Sequence, residues 1–132
     1  LFTSLIPNLL VTGVANAVEK APGTKFYVTN IMTEQGETDK FSALDHLAAL
    51  SSYLDLSQLD YAVVNVGKAD EELLSRYAKE GAELVEPDLV NDNQYGVKPL
   101  LDDLVDTVQL EGKMTVKHDH ERLAKLILSV LD

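Results

Sequence analysis

The chain has 132 residues, 45% of them hydrophobic, and its 11 basic and 22 acidic residues give a net charge of -11. A chain of this length forms one domain with a substantial core, and its acidity argues against binding to the phosphate backbone of a nucleic acid. There is no cysteine, which excludes disulfides and thiolate sites, and no apolar run reaches the roughly 18 residues of a membrane span.

The first third of the sequence alternates helical and strand patterns. Pro7 suits the first turn of a helix, and apolar residues at helical spacing continue to the stop at Pro22–Gly23. The run Lys25–Met32 is β-branched and aromatic, which predicts a buried strand of a parallel sheet. Ser42 followed by Asp45 is typical of a capping box at the start of the next helix.

The middle of the chain repeats this alternation. Asp60–Gly67 predicts a second buried strand. Asp70 then caps a helix that ends at Gly81, with acidic residues in its first turn and basic residues in its last. The segment Ala82–Asp88 predicts a shorter third strand.

The last third combines an irregular segment, a hairpin and a helix. Residues 89–104 are predicted to be irregular, with a short helical turn near Leu100–Leu104. Strand patterns on both sides of Glu111–Gly112 predict a hairpin, and Asp119 caps a final amphipathic helix.

The order of these elements predicts an α/β fold with right-handed crossovers and a mostly parallel, helix-covered sheet. Ligands of such sheets bind beyond the carboxyl ends of the strands, which here are Asn30–Thr33 and Asn65–Gly67. The loop Gly36–Asp39 offers two carboxylates, a hydroxyl and backbone N–H groups at a helix start, where an anion can bind. An ordinary connection between a strand and a capped helix explains the same loop, and Asn65 suits either a ligand contact or a turn.

A second polar cluster, Lys117–His120, also lies at a helix start. A zinc site would need further ligands, such as His46 or scattered carboxylates. A catalytic triad would combine Ser4 or Ser42 with a histidine and aspartate of this cluster, but the sequence lacks the G-x-S-x-G nucleophile elbow. The simpler interpretation is a capping Asp119 with solvated neighbours, and no metal site is predicted.

Four stretches together resemble a known family. They are LFTSLIPNLLVTGVANAV, FYVTNIMTEQGETDKFSALDHL, AELVEPDLV and VKHDHERLAKLILSVL. Their order and spacing resemble the carboxyl-terminal part of the bacterial gluconeogenesis-factor (YvcK-type) family, which is related to the 2-phospho-L-lactate transferases (CofD) of deazaflavin-cofactor synthesis. The resemblance implies a three-layer Rossmann-like fold. It also implies that residues 1–132, which begin with Leu1 and not with methionine, are the carboxyl-terminal portion of one larger domain.

The resemblance further implies a cytoplasmic regulator that binds UDP-sugars such as UDP-N-acetylglucosamine, without catalysis or a cofactor of its own. The implied role covers gluconeogenic carbon metabolism, cell-wall precursor supply and cell shape, and a homodimer stays open. One alternative is a Mg²⁺-dependent transferase that moves a phospho-lactyl group from a nucleotide-activated donor. Another is a scaffold fragment used for oligomerisation.

The resemblance also designates ligand-side residues. The matching positions are Thr3, Ser4, Asn30, Thr33, Glu37, Thr38 and Asp39. Thr3 and Ser4 also suit the alternative role of capping hydroxyls for the first helix. Lys117 and His118 stand where the family usually has Arg-His, and lysine holds a phosphate as a point charge and not bidentately. Lys40 stands where the family usually has glycine.

Overall fold

The computed structural model describes residues 1–131. In chain order its elements are α1 (Ile6–Leu9), α2 (Val14–Lys20), β1 (Phe26–Val28), α3 (Ala43–Leu50), a 3₁₀ turn (Leu56–Gln58), β2 (Tyr61–Asn65), α4 (Glu71–Lys79), β3 (Lys98–Asp102), β4 (Val105–Leu110), β5 (Lys113–His118) and α5 (His120–Leu128).

Strands β1, β2 and β3 form a parallel sheet with β2 at its centre. Ala62 and Val63 of β2 are both 0% exposed, and because successive residues of a strand point to opposite faces, both faces of this strand are buried. Strands β4 and β5 form a separate antiparallel hairpin. The parallel sheet with helical crossovers confirms the predicted α/β, Rossmann-like class.

The main apolar core joins α1 and α3 to one face of the sheet. Its buried members are Leu1, Ile6, Tyr27, Ala43, Leu47, Leu50, Leu56, Leu59, Ala62, Val64, Val85, Leu89 and Val97. The predicted capping box is present at the start of α3, the helix whose apolar face packs on this core. The Ser42 hydroxyl accepts from the Asp45 N–H at 3.2 Å, and the Asp45 carboxylate accepts from the Ser42 N–H at 2.9 Å.

The other predicted caps are also confirmed. The Asp70 carboxylate accepts from the N–H of Glu72 at the start of α4. The Asp119 carboxylate accepts from the N–H groups of Glu121 and Arg122 at the start of α5, both at 3.0 Å. The predicted hairpin is present as β4 and β5. Within residues 1–131, no helix has the length and apolarity needed to cross a bilayer.

The single helix predicted from Pro7 to Pro22 is wrong, because the segment forms α1 and α2 with a break between them. Gly13 precedes α2 with a φ of 89°, in the left-handed region that glycine adopts without steric cost. The helical spacing of the apolar residues continues across this break, so the periodicity alone did not reveal it.

The prediction of the third strand at Ala82–Asp88 is wrong. The predicted strand Ala82–Asp88 contributes only an isolated antiparallel bridge, Met32 to Leu84. The third strand is β3, where the sequence predicted irregular chain and a helical turn. Its pairing with β2 is a long-range interaction, and Pro99 is tolerated because β3 lies at the edge of the sheet.

Candidate functional site

A cleft of about 310 Å³ opens beyond the carboxyl end of β1. Its walls come from the chain that follows β1, from α4 and from the end of β5. The lining residues are Asn30, Ile31, Met32, Thr33, Glu34, Tyr77, Val116, Lys117 and His118. The structure therefore brings together four of the predicted ligand residues, Asn30, Thr33, Lys117 and His118, from two distant parts of the sequence.

Two polar side chains of this cleft are uncommitted. Asn30 is half-buried, and its side chain makes no hydrogen bond with any residue in the range 1–131. Lys117 is exposed, and no carboxylate of the described chain pairs with it. Thr33 differs, because its hydroxyl accepts from the Glu83 N–H at 3.0 Å and the residue is 3% exposed. Asn30 and Lys117 are thus the groups most available to a ligand.

The third polar group of the cleft is His118, which is half-buried. Its Nε2 atom lies 3.1 Å from the carbonyl oxygen of Thr29. Because a carbonyl only accepts, Nε2 carries the proton and Nδ1 is left as an acceptor. Burial lowers the pKa of His118, against a smaller opposing effect of the Thr29 hydrogen bond. A neutral His118 offers the cleft a hydrogen-bond acceptor, and the positive charge comes from Lys117.

The loop Gly36–Asp39 uses its polar groups internally. Thr38 is 0% exposed, and its hydroxyl accepts from the Glu34 N–H at 2.9 Å. The Asp39 carboxylate accepts from the Gly36 N–H at 2.8 Å. These contacts fit the role of a strand-to-helix connection, and neither Thr38 nor Asp39 lines the cleft. Their role as ligand contacts stays a prediction.

Glu37 belongs to a carboxyl pair beside the cleft. A hydrogen bond from Glu34 lowers the pKa of Glu37 to about 2, with a further contribution from the Thr3 hydroxyl. The same bond to Glu37, together with burial, raises the pKa of Glu34. Glu34, the member that lines the cleft, is therefore the carboxyl of the pair that takes up a proton first as the pH falls.

Thr3 and Ser4 are exposed and lie outside the cleft lining. The capping role considered for them is wrong, because the N-cap of α1 is Leu5 and no side chain caps this helix. The Ser4 carbonyl instead accepts from the Asn8 side chain at 2.5 Å. Whether either hydroxyl contacts a ligand stays a prediction.

The contacts of the Lys117–His120 cluster favour its simpler interpretation. The Asp119 carboxylate caps α5, and the His118 ring bonds the Thr29 carbonyl, so these two side chains do not form a triad with a serine. In the part of the chain that the structure describes, no group of three or more His, Asp or Glu side chains is arranged to hold a metal ion.

Asn65 has the turn role. Its side-chain oxygen accepts from the N–H groups of Gly67 and Leu104, at 3.0 Å and 2.9 Å, and its amide donates to the Gly67 carbonyl at 2.9 Å. These three bonds fix the chain that leaves β2. The predicted contribution of Asn65 to a turn is confirmed.

Sequence reasoning missed several residues of the cleft wall, above all Tyr77. It is one of five tyrosines in the chain, and no local pattern separates it from the other four. Its position becomes meaningful only when β5 packs beside α4, a contact between residues far apart in sequence.

Comparisons with known proteins identify the family of the chain. The family model described as 2-phospho-L-lactate transferase CofD matches residues 1–105. A Thermotoga maritima protein, provisionally named a gluconeogenesis factor, is 41% identical over 128 residues, which are 96% of this chain and 40% of the relative. The gluconeogenesis factor of Bacillus subtilis is 33% identical over 131 residues, which are 99% of this chain and 40% of that protein.

Solved structures give the same result. A crystal structure of a Bacillus halodurans protein superposes with a TM-score of 0.84 at 31% identity, over 96% of this chain and 40% of that one. A second crystal structure from the same organism, described as a member of the UPF0052 family, has the same TM-score of 0.84 at 30% identity. The chain thus spans about two-fifths of the length of each of these relatives.

Proposed function

The chain belongs to the 2-phospho-L-lactate transferase CofD family, and we propose that it uses the cleft beyond β1 to bind a UDP-sugar as a regulator of carbon metabolism. The observation that carries this proposal is the meeting of Asn30 and Lys117, both uncommitted, at the carboxyl end of a parallel strand. Ligands of open α/β sheets bind at this edge.

The chemistry of the cleft suits a nucleotide sugar. The Lys117 ammonium supplies a positive charge for a diphosphate, and the Asn30 amide supplies both a donor and an acceptor for hydroxyl or acetamido groups. His118 adds an acceptor through Nδ1. Met32 and Tyr77 give an apolar wall for a sugar or base. The volume of about 310 Å³ lies at the lower end of the range of ligand pockets, which suits one part of such a ligand.

The name gluconeogenesis factor, which the relatives carry, supports the regulatory role in this proposal. In this proposal, ligand binding in the cytoplasm reports the supply of an activated sugar. The protein then adjusts gluconeogenic metabolism, cell-wall precursor supply and cell shape, without chemistry of its own and without a further cofactor.

Calorimetric titration with UDP-N-acetylglucosamine, with and without Mg²⁺, tests the proposal on this chain, with the full-length Thermotoga maritima relative in parallel. Lys117→Ala should weaken binding about tenfold because it removes a charge-assisted contact. Lys20→Ala, which removes an exposed lysine outside the cleft lining, is the matched control and should leave the affinity unchanged. Equal affinities for the two variants would remove Lys117 from the site, and no heat with any UDP-sugar would overturn the proposal.

A second candidate is a transferase, favoured by the description of the matching family model. Such an enzyme would move a phospho-lactyl group from a nucleotide-activated donor and would use Mg²⁺ with a second substrate. Release of free nucleotide from that donor, dependent on Mg²⁺ and acceptor, would establish it. A chain that binds UDP-N-acetylglucosamine but releases no nucleotide would leave the regulatory function as the better account.

A further inference from the structure

The β4–β5 hairpin is a separate sheet, so the parallel sheet does not hold it through a strand ladder. Individual contacts hold it instead. At one point the Val116 N–H donates to the Tyr77 hydroxyl at 3.0 Å. Two residues later His118 Nε2 bonds the Thr29 carbonyl at 3.1 Å. Lys117 lies between these two attachments.

Tyr77 is well placed to hold the first attachment. It sits in the last turns of α4, and its side chain forms part of the cleft wall. The guanidinium carbon of Arg76 lies 5.0 Å from the centre of the Tyr77 ring, within the range of a cation–π contact. The same guanidinium bonds the carbonyl of Met114 on β5. The helix thus engages β5 at two alternate residues, Met114 and Val116.

We infer that Tyr77 is a positioning residue of the cleft: its hydroxyl holds Val116 and thereby fixes Lys117 and His118 opposite Asn30. This inference rests on the proposed UDP-sugar site. Val116 is only 8% exposed, so its N–H has little access to water if the tyrosine hydroxyl is removed. Without that bond the end of β5 is held at fewer points, and small displacements of binding groups are costly to affinity.

Tyr77→Phe tests the inference because it removes the hydroxyl and keeps the ring. Without ligand, hydrogen exchange at the Val116 amide should become about tenfold faster, since its acceptor is lost. Affinity for UDP-N-acetylglucosamine should fall about fivefold. The matched control is Tyr53→Phe, a partly buried core tyrosine whose hydroxyl bonds no residue in the range 1–131, and both readouts should stay at wild-type values.

A double-mutant cycle separates positioning from a general structural role. In the Lys117→Ala background, Tyr77→Phe should cost less than about twofold further, because Lys117, the charged one of the two groups that Tyr77 positions, is already gone. Arg76→Met gives a second route, since it releases β5 at Met114 from outside the cleft lining. It should show the same coupling to Lys117 even if Tyr77→Phe folds poorly.

The outcomes are separable. Unchanged exchange at Val116 in Tyr77→Phe, or equal losses of affinity with and without Lys117, would overturn the positioning role while the proposed function stands. If the wild-type chain binds no UDP-sugar, the proposed function fails, and the positioning role falls with it. Faster exchange, weaker binding and coupling to Lys117 together would establish it.

Discussion

The loop Gly36–Asp39 and the cleft residues Asn30 and Lys117 hold comparable polar groups in opposite situations. In the loop, the Thr38 hydroxyl accepts from the N–H of Glu34, just before the loop, and the Asp39 carboxylate accepts from the N–H of Gly36. In the cleft, the Asn30 amide and the Lys117 ammonium have no hydrogen-bond or ion-pair partner within residues 1–131.

This difference separates two reasons for a polar motif beside a helix start. A side chain that satisfies the loop backbone stabilises the fold, and its loss leaves a donor without a partner. A side chain that faces an open cleft contributes little to folding and is available to a ligand. Substitutions in the two regions should therefore affect different measurements.

The largest effect is expected at Thr38. Replacing this 0% exposed side chain with valine keeps its shape but leaves the Glu34 N–H without its acceptor. The free energy of unfolding should fall by about 2 kcal/mol, as measured by urea denaturation. Thr107→Val, at an exposed position of β4, is the matched control and should change stability by less than about 0.5 kcal/mol. Equal losses in the two variants would contradict a structural role for Thr38.

Asn30→Ala should show the reverse behaviour. Because the Asn30 side chain bonds no residue in the range 1–131, the unfolding free energy should change by less than about 0.5 kcal/mol. Affinity for UDP-N-acetylglucosamine should fall about fivefold, through the loss of one hydrogen-bonding group. Asn8→Ala is the matched control, because the Asn8 side chain bonds the Ser4 carbonyl away from the cleft. Calorimetry compares the affinities of the two variants. If both variants bind like the wild type, Asn30 is not a ligand contact.

The same contrast explains what the sequence could predict. The caps of α3, α4 and α5 depend on contacts within three residues, such as Ser42 with Asp45, so local patterns revealed them. Strand β3 depends on its register with β2, and the cleft depends on α4 meeting β5. Neither contact leaves a local pattern, so β3 was placed wrongly and Tyr77 was missed.

The resemblance to a family supplied part of what local patterns lacked. It predicted ligand contacts at Asn30, Thr33, Lys117 and His118, and the fold brings these four residues together around one cleft. It could not separate these residues from Thr38 and Asp39, because a shared motif does not say whether a polar group faces a ligand or its own backbone. Hydrogen-bond geometry makes that distinction.

Lys40, which follows the loop Gly36–Asp39, has a strained backbone conformation. Its φ is 59°, in the left-handed region that costs a residue with a Cβ, and the resembling family usually carries glycine at this position. Lys40→Gly should raise the unfolding free energy by about 0.5–1 kcal/mol without changing affinity. Lys68→Gly is the control, because Lys68 is exposed in a loop and is not among the residues of positive φ. Equal stability changes in the two variants would show that the Lys40 backbone is not strained.

The smallest effect concerns the pH dependence of stability. Burial lowers the pKa of His118 from its ordinary value of 6.5, so the folded chain binds fewer protons there than the unfolded chain. This contribution is complete above the ordinary pKa and is lost as the pH falls from that value through the lower pKa of the folded chain. The raised pKa of Glu34 acts in the opposite direction, and burial lowers the pKa of His46 in the same direction as that of His118. Only a difference between variants therefore isolates His118.

Between about pH 7.5 and pH 5, His118→Gln should lose less stability than the wild type, as measured by urea denaturation, because glutamine cannot take up the proton. Met114→Gln, at a residue 45% exposed on the same strand, introduces the same amide and should keep the wild-type slope. Parallel profiles for all three proteins would mean that the His118 ring is not buried against Thr29, and the neutral acceptor assigned to the cleft would be lost with it.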